Sequence, residues 1–498
     1  MEAPLLERSA SELELIGDDG DYRPVRGLKA WWRLFCIESV KLWRIGGPIA
    51  FQIVCQFASI SVATIFVGHI GDVELSAFSI ALTVVGTFGF GFMYGMGSAL
   101  ETLFGQAFGA GRVYMLGIYM QRSTIILFVS CIILLPICIF ATPLLKLVGQ
   151  PDEIAEPAGF YSRLTIPQLF SFAVNFPTQK FLQAQSKVTV LAWIAVIALL
   201  LQALLCWLFV DAFGWGAVGV AVAYDNINWF IAISQFVYVV GWCKDGWKGF
   251  SWSAFKDIWA FVRLSLASAV MLCLEIWYMM SITILTGNLK DAVTAVGSLS
   301  ICNNINGWEN MVFIGVNAAI SVRVSNELGW GHARATKYCV YVTVLQSLLI
   351  GIVCMIVILV TRDYLAVIFT DSEVMRRAVS HLSGLLGITM LLNSVQPVIS
   401  GVAIGGGWQA LVAYINLACY YIFGLPLGYV LGYVANFGVV GVWGGMIAGV
   451  ALQTLLLLLV LYKTNWNKEV EQTTARMRKW GGQDTVIPIK NTDDNKVD

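Results

Sequence analysis

The chain has 498 residues, 58% of them hydrophobic and only 12% charged, and its formal net charge at neutral pH is zero. A soluble domain carries about twice that charged share, so the composition excludes an ordinary soluble protein and makes a bilayer the main solvent. Zero net charge offers no global field for nucleic acid or an acidic partner.

Residues 1–40 are expected to form a disordered cytosolic tail, because the stretch opens polar and carries acids at Glu2, Glu7, Glu12, Glu14, Asp18 and Asp19. A cleaved signal would place a basic stretch and an apolar core there, so the first span is expected to act as the insertion signal. Leu5-Leu6 resembles a sorting dileucine, although Glu2 stands one place too close to it.

Apolar runs long enough to cross hydrocarbon as a helix, about 20 residues, then follow over 44–68, 75–105, 114–141, 156–181, 188–210, 215–241, 258–286, 293–322, 337–361, 377–401, 408–432 and 438–462. The predicted fold class is therefore an all-α polytopic membrane protein of twelve transmembrane helices in two six-helix bundles. The first lobe covers 41–241, a cytosolic linker 242–257, the second lobe 258–463 and a cytosolic tail 464–498. Within that tail, Trp466 to Trp480 reads as a surface helix whose Lys468, Arg476, Arg478 and Lys479 would meet anionic membrane lipid.

Loops after even-numbered spans hold Arg112, Lys180, Lys187, Lys244, Lys248, Lys256, Arg334 and Lys337, whereas the opposite loops are poorer in basic residues. The segment with Arg362, Arg376 and Arg377 breaks this pattern, but Asp363, Asp371 and Glu373 accompany it. The positive-inside rule then puts both termini in the cytosol.

A shift of 220 residues superposes Gly95 on Gly315, Gly109 on Gly329, Gly111 on Gly331 and Pro177 on Pro397, and a shift of 222 superposes Gly216 on Gly438. One nearly constant offset over many spans indicates duplication. Because each half has an even number of spans, the halves share one topology around an axis along the membrane normal, with a cleft between them.

An ionisable group inside a span is costly and asks for a reason. Glu275 lies midway along span 7, and helical spacing puts Leu272, Glu275, Tyr278 and Met279 on one stripe that suits a cavity wall. A carboxyl buried there can take up and release a proton as access alternates; it can also be a structural acid bonded to a neighbouring helix. Span 8 carries Asn303, Asn304, Asn306 and Glu309, with Asn306 and Glu309 on one face. These groups either bind solute or glue helices together. Asn393 and Gln396 add polar groups to span 10, while Asp225, Arg122 and Arg163 lie nearer span ends and His381 reads as packed or interfacial. Span 1 offers Gln52 and Gln56 but no acid in its apolar core, so an ion-coupling carboxyl is expected in the second half. The eleven cysteines include no CxxC pair and no metal-ligand spacing with the histidines, and they read as packing residues. No Walker loop, nucleophile motif or metal cluster is present in the sequence, so neither an enzyme nor a cofactor is expected.

From Leu42 to Trp466 the residues resemble the plant branch of the multidrug and toxic compound extrusion (MATE) family. The resemblance rests on Val67-Gly-His-Ile-Gly71, Ser98-Ala-Leu-Glu-Thr-Leu-Phe-Gly-Gln-Ala-Phe-Gly-Ala110, Cys273-Leu-Glu-Ile-Trp277, Arg323-Val-Ser-Asn-Glu-Leu-Gly329 and Gly405-Gly-Gly-Trp-Gln409. Among its members the sequence looks most similar to the flavonoid transporters of the vacuole. The resemblance implies a V-shaped antiporter that uses a proton or sodium gradient to move flavonoids, organic cations or xenobiotics into the vacuole or out of the cytosol. The tonoplast is the expected membrane and the plasma membrane the alternative; the span-seven acid of the family falls on Glu275. The sequence departs from the family twice, with Asn393 where an acid is common and Ile404 where an Arg is. Losing that acid removes one proton acceptor and lowers the barrier to an anion such as chloride, so an anion channel or transporter on the same fold is the alternative function.

Overall fold

Hydrocarbon gives a backbone no partner but itself, and the apolar runs accordingly fold as helices. The computed structural model describes residues 15–17, 20–147, 151–256, 258–287, 289, 292–370 and 372–481. The Leu5-Leu6 pair, the acids at Asp18 and Asp19, Asp371 and the chain beyond 481 lie outside the described residues.

The first half comprises α1 (Leu28–Gly68), α2 (Asp72–Ile80), α3 (Thr87–Gly109), α4 (Tyr114–Ile139), a short α5 (Ala141–Leu147), α6 (Asp152–Leu164), α7 (Ile166–Ala184), α8 (Val188–Trp207) and α9 (Gly216–Trp242). The second half comprises α10 (Ile258–Gly287), α11 (Ala292–Trp330), α12 (Ala333–Thr361), α13 (Glu373–Gly406), α14 (Gln409–Asn416), α15 (Leu425–Tyr429) and α16 (Gly438–Lys463), followed by α17 (Trp466–Gly481). π-Helical turns join α2 to α3, end α8 and flank α15. Nine helices among the described residues are long and apolar enough to span a membrane. The more polar rods α2–α3, α6–α7 and α11 supply the remaining predicted spans.

The duplication is visible in the backbone. Left-handed φ values at Gly111, Ser186, Gly214 and Gly216 recur at Gly331, Gly407, Asn436 and Gly438. The π turn Leu208–Ala212 recurs as Val430–Val434. Tight turns of one kind close the matching helices: Arg112 N–H donates to the Ala107 carbonyl and His332 N–H to Glu327, at 2.9 Å each. Both turns place their fifth residue where a Cβ is disfavoured, which is the physical content of the Gly111 and Gly331 match.

The lobes meet through α1 and α3 on one side and α10 and α11 on the other. Close approach is made by small residues: a Cβ at Gly95 would run into Ala269, at Gly315 into Ala50, at Gly105 into Ser325 and at Gly109 into Asn326. Such small-residue seams let helix backbones touch in a membrane.

Both described chain ends lie on one face, the terminal face, and the tails take part in the fold. Helix α1 begins at Leu28, inside the stretch expected to be a disordered tail over 1–40. Ahead of it, Asp21 accepts from the backbone N–H of Arg334 at 2.8 Å and of Ala335 at 2.9 Å, capping α12 from a distant point of the chain. The surface helix expected from Trp466 is present as α17, but Arg476 faces protein rather than lipid: its Nη1 donates to Gln106 Oε1 at 2.9 Å and to the Gly406 carbonyl at 3.3 Å. Arg122 is likewise structural, donating to the carbonyls of Ser253 and Ala254 and so anchoring the inter-lobe linker.

Candidate functional site

The second lobe holds a row of polar side chains on α10, α11 and α13. Gln396 donates through Nε2 to Glu275 Oε1 at 3.1 Å and to Ser400 Oγ at 3.2 Å. Asn393, about one turn earlier on α13, donates to Asn306 Oδ1 of α11 at 3.1 Å. Pro397 interrupts the hydrogen-bond ladder of α13, and Asn317 donates to its carbonyl at 2.6 Å, tying α11 to the same stretch. Glu275 is half-buried and Asn303 is exposed on α11. Glu275, Asn306, Asn393 and Gln396 thus form two polar contacts about one turn apart on α13, one amide to the carboxyl and one amide to amide, joining three helices.

Other predicted members stand elsewhere. Tyr278 leaves the expected cavity stripe: it is fully buried, stacks on Tyr420 at a ring separation of 4.4 Å and donates to the Met446 carbonyl at 3.2 Å, so it packs the core of the second lobe. Glu309 is buried toward Cys354 of α12. Asp225 is buried in α9 with Oδ1 unbonded among the described residues, Gln52 is buried in α1 and Gln56 is half-buried there.

The first lobe contains an ion pair that sequence reasoning did not anticipate. Lys180 bonds Glu101 inside the lobe, each side chain 2% exposed, and the ammonium lies 5.4 Å from the centre of the Tyr94 ring. Lys180 was expected among the basic loop residues, but α7 runs on to Ala184 and draws it inside. The available signal was a Lys and a Glu at the ends of apolar runs in neighbouring spans; only the packing of α7 on α3 pairs them.

A third constellation closes the terminal face. Thr102 bonds the Ile404 carbonyl, and Gln409 Nε2 donates to Thr102 Oγ1 at 2.8 Å. Gln106 Nε2 donates to the Gly405 carbonyl at 3.2 Å, and Asn326 Nδ2 to the Ala184 carbonyl at 3.2 Å. Beside them Arg323 pairs with Glu38 at 2.9 Å and Glu327 at 2.8 Å, Glu327 meets His332 at 3.0 Å, and Tyr22 donates to Glu38 at 2.5 Å. Three motifs far apart in sequence, around Glu101, Arg323 and Gly405, therefore meet at one seam. The close approaches of α3 to the second lobe, from Gly95 to Gly109, run from the middle of that helix to its end at the terminal face.

Two like bundles of membrane-spanning helices, the second holding a polar row, define a multi-pass membrane transporter. The MatE family model matches residues 48–208 and 267–430, and the two matches are displaced by about the spacing of the sequence repeat. The chain is 67% identical over 484 residues to Protein DETOXIFICATION 35 of Arabidopsis thaliana, covering 97% of this chain and 98% of that one. It is 63% identical over 470 residues to Protein DETOXIFICATION 34 of the same plant, covering 94% and 87%. The crystal structure of the eukaryotic MATE transporter AtDTX14 superposes with a TM-score of 0.83 at 31% identity, over 89% of this chain and 99% of that one. The Vibrio cholerae MATE transporter VcmN in its bent form shares the fold, with a TM-score of 0.77 at 16% identity over 89% and 99%. The chain belongs to the plant MATE transporters and is not an enzyme.

Proposed function

We propose that the protein is a proton-coupled antiporter of organic solutes, with Glu275 as the coupling carboxyl and the terminal face in the cytosol. The hydrogen bond from Gln396 to Glu275 carries the reading, because it sets a neutral donor on the acid of span 7, which among the described residues is in no ion pair. Such a carboxyl can be neutral or ionised as access alternates, and Gln396 can accompany either form by turning its amide. Asn306 and Asn393 provide neutral acceptors and donors for a hydroxylated or cationic solute. Flavonoids, organic cations or xenobiotics moved into the vacuole are the cargo this reading favours, with the basic loops of the terminal face supporting its cytosolic side.

The Asn393–Asn306 pair supports a second reading, chloride or anion conduction, because it replaces a fixed negative charge with amides that can donate to an anion. Patch clamping of vacuoles with the protein expressed or removed separates the two. The antiport reading expects uptake of flavonoid or organic cation that follows an imposed pH gradient, with no large current. Large anion currents that need no proton gradient overturn it. In liposomes, Glu275→Gln is expected to lower gradient-driven uptake at least about tenfold, as loss of a participating acid or base commonly does; a wild-type pH dependence in this variant removes Glu275 from the mechanism.

A further inference from the structure

The tail helix α17 crosses the seam between the lobes. Its first turns belong to the second lobe: Trp466 is 6% exposed in that lobe's core, packs on Trp408 at 5.9 Å, and Glu469 accepts from Trp408 Nε1 at 3.0 Å. Its last turns belong to the first lobe: Met477 is 4% exposed within that lobe's core, and its carbonyl accepts from Arg112 Nη1 at 3.0 Å. Between the two anchors stands Arg476, donating from one nitrogen to Gln106 of α3 and to the Gly406 carbonyl of α13. Gly407, in the left-handed conformation at φ 82°, ends α13 so tightly that a Cβ there would run into the guanidinium.

We propose that α17 is a bolt across the two lobes and that Arg476 is the positioning residue that holds the terminal face closed. The buried Trp466, Thr473 and Met477 and the half-buried Val470 recur at helical spacing, so one rigid helix carries a hold on each lobe. To open this face, α3 must leave α11 and α13, which separates Gln106 from Gly405 and Gly406. Arg476 bonds both sides of that gap and cannot keep both partners once it widens. The guanidinium suits the task because its donors are held in a fixed plane and its charge persists. The bolt rests on alternation between lobes and not on which ion or solute is carried.

Ser325 reports the seam: it is fully buried on α11 against Gly105 of α3. The test is labelling of full-length Ser325→Cys protein in nanodiscs by a membrane-impermeant maleimide, read by mass spectrometry at residue 325, with thermal unfolding and monodispersity checked for every variant. Adding Arg476→Ala is expected to speed labelling about tenfold, the loss of one charge-assisted hydrogen bond from the closed state. Arg476→Lys, which keeps the charge without the planar fork, is expected to fall between. Gln106→Leu removes the first-lobe partner together with the direct bond from Gln106 to the Gly405 carbonyl, so it is expected to speed labelling at least as much. Adding Arg476→Ala to Gln106→Leu is expected to speed it little further, and a further gain of about tenfold in that double variant overturns the bolt. Folded Arg476→Ala and Gln106→Leu proteins that label at the parent rate overturn the bolt. Because labelling needs no cargo, failure of the antiport reading leaves this result standing.

Discussion

Gln396 holds Glu275 at 3.1 Å through an amide N–H, so the acid of span 7 is paired with a neutral donor from span 10 rather than with a second carboxyl or a cation. Replacing Gln396 with Leu removes the donor from a carboxyl inside the lobe. We expect a stability loss of about 0.5–1.5 kcal/mol, the net worth of one hydrogen bond to a half-buried acid, read as an earlier thermal transition in detergent. Transport in this variant should keep its cargo selectivity and change its pH profile; an unchanged profile would show that Gln396 does not attend the coupling step.

Asn393 is the position where the chain departs from its family, and it donates to Asn306 at 3.1 Å. Asn393→Asp puts a second acid on the row without changing side-chain volume appreciably. Gradient-driven organic-cation uptake is expected to rise severalfold, and any anion current to fall, because fixed negative charge in a low-dielectric cleft favours cations and repels anions. Equal currents in the variant and the wild type would count against an anion route past this residue.

The Glu101–Lys180 pair makes a prediction through non-additivity, since each partner is 2% exposed. Glu101→Leu or Lys180→Met alone leaves an unpaired group in the first lobe and should cost about 3–5 kcal/mol, whereas both together should cost much less. Thermal unfolding of the four proteins of the cycle measures this. Additive losses would mean that the two groups do not depend on each other.

The first described residues carry weight of their own. Asp21 caps α12 through two backbone N–H groups, so Asp21→Ala is expected to cost about 1 kcal/mol, within the range for lost N-caps. The loss should be local: hydrogen exchange at the start of α12 should rise while the middle of the spans is unchanged. Unaltered exchange over residues 333–338 would show that the cap contributes nothing.

What could be read without a structure followed from one-dimensional regularities. Composition implied a bilayer, run lengths placed the spans, and a constant offset exposed the duplication that the backbone repeats at Gly111 and Gly331. The costly acid at Glu275 stood out because hydrocarbon does not tolerate an unexplained carboxyl. Tyr278 was misplaced because stripe membership on one helix does not say which neighbour occupies that side; Tyr420 does, by stacking on it. Lys180 reads as a loop charge because it stands at the very end of the 156–181 run, where a lysine ordinarily reaches the interface; the helix continues to Ala184 and packs that end against Glu101 instead.

Hydropathy, run length and repetition are properties of neighbouring residues along one chain, and they suffice to make this a two-lobed helical membrane protein with an acid in its seventh span. That Gln396 attends this acid, that Glu101 meets Lys180, and that motifs around Glu101, Arg323 and Gly405 close one seam with Arg476 across it emerges once the helices are packed. Those pairings join residues from separate helices, and the choice among helix faces is made by packing: glycines that admit a backbone, and buried polar groups that must find partners without water.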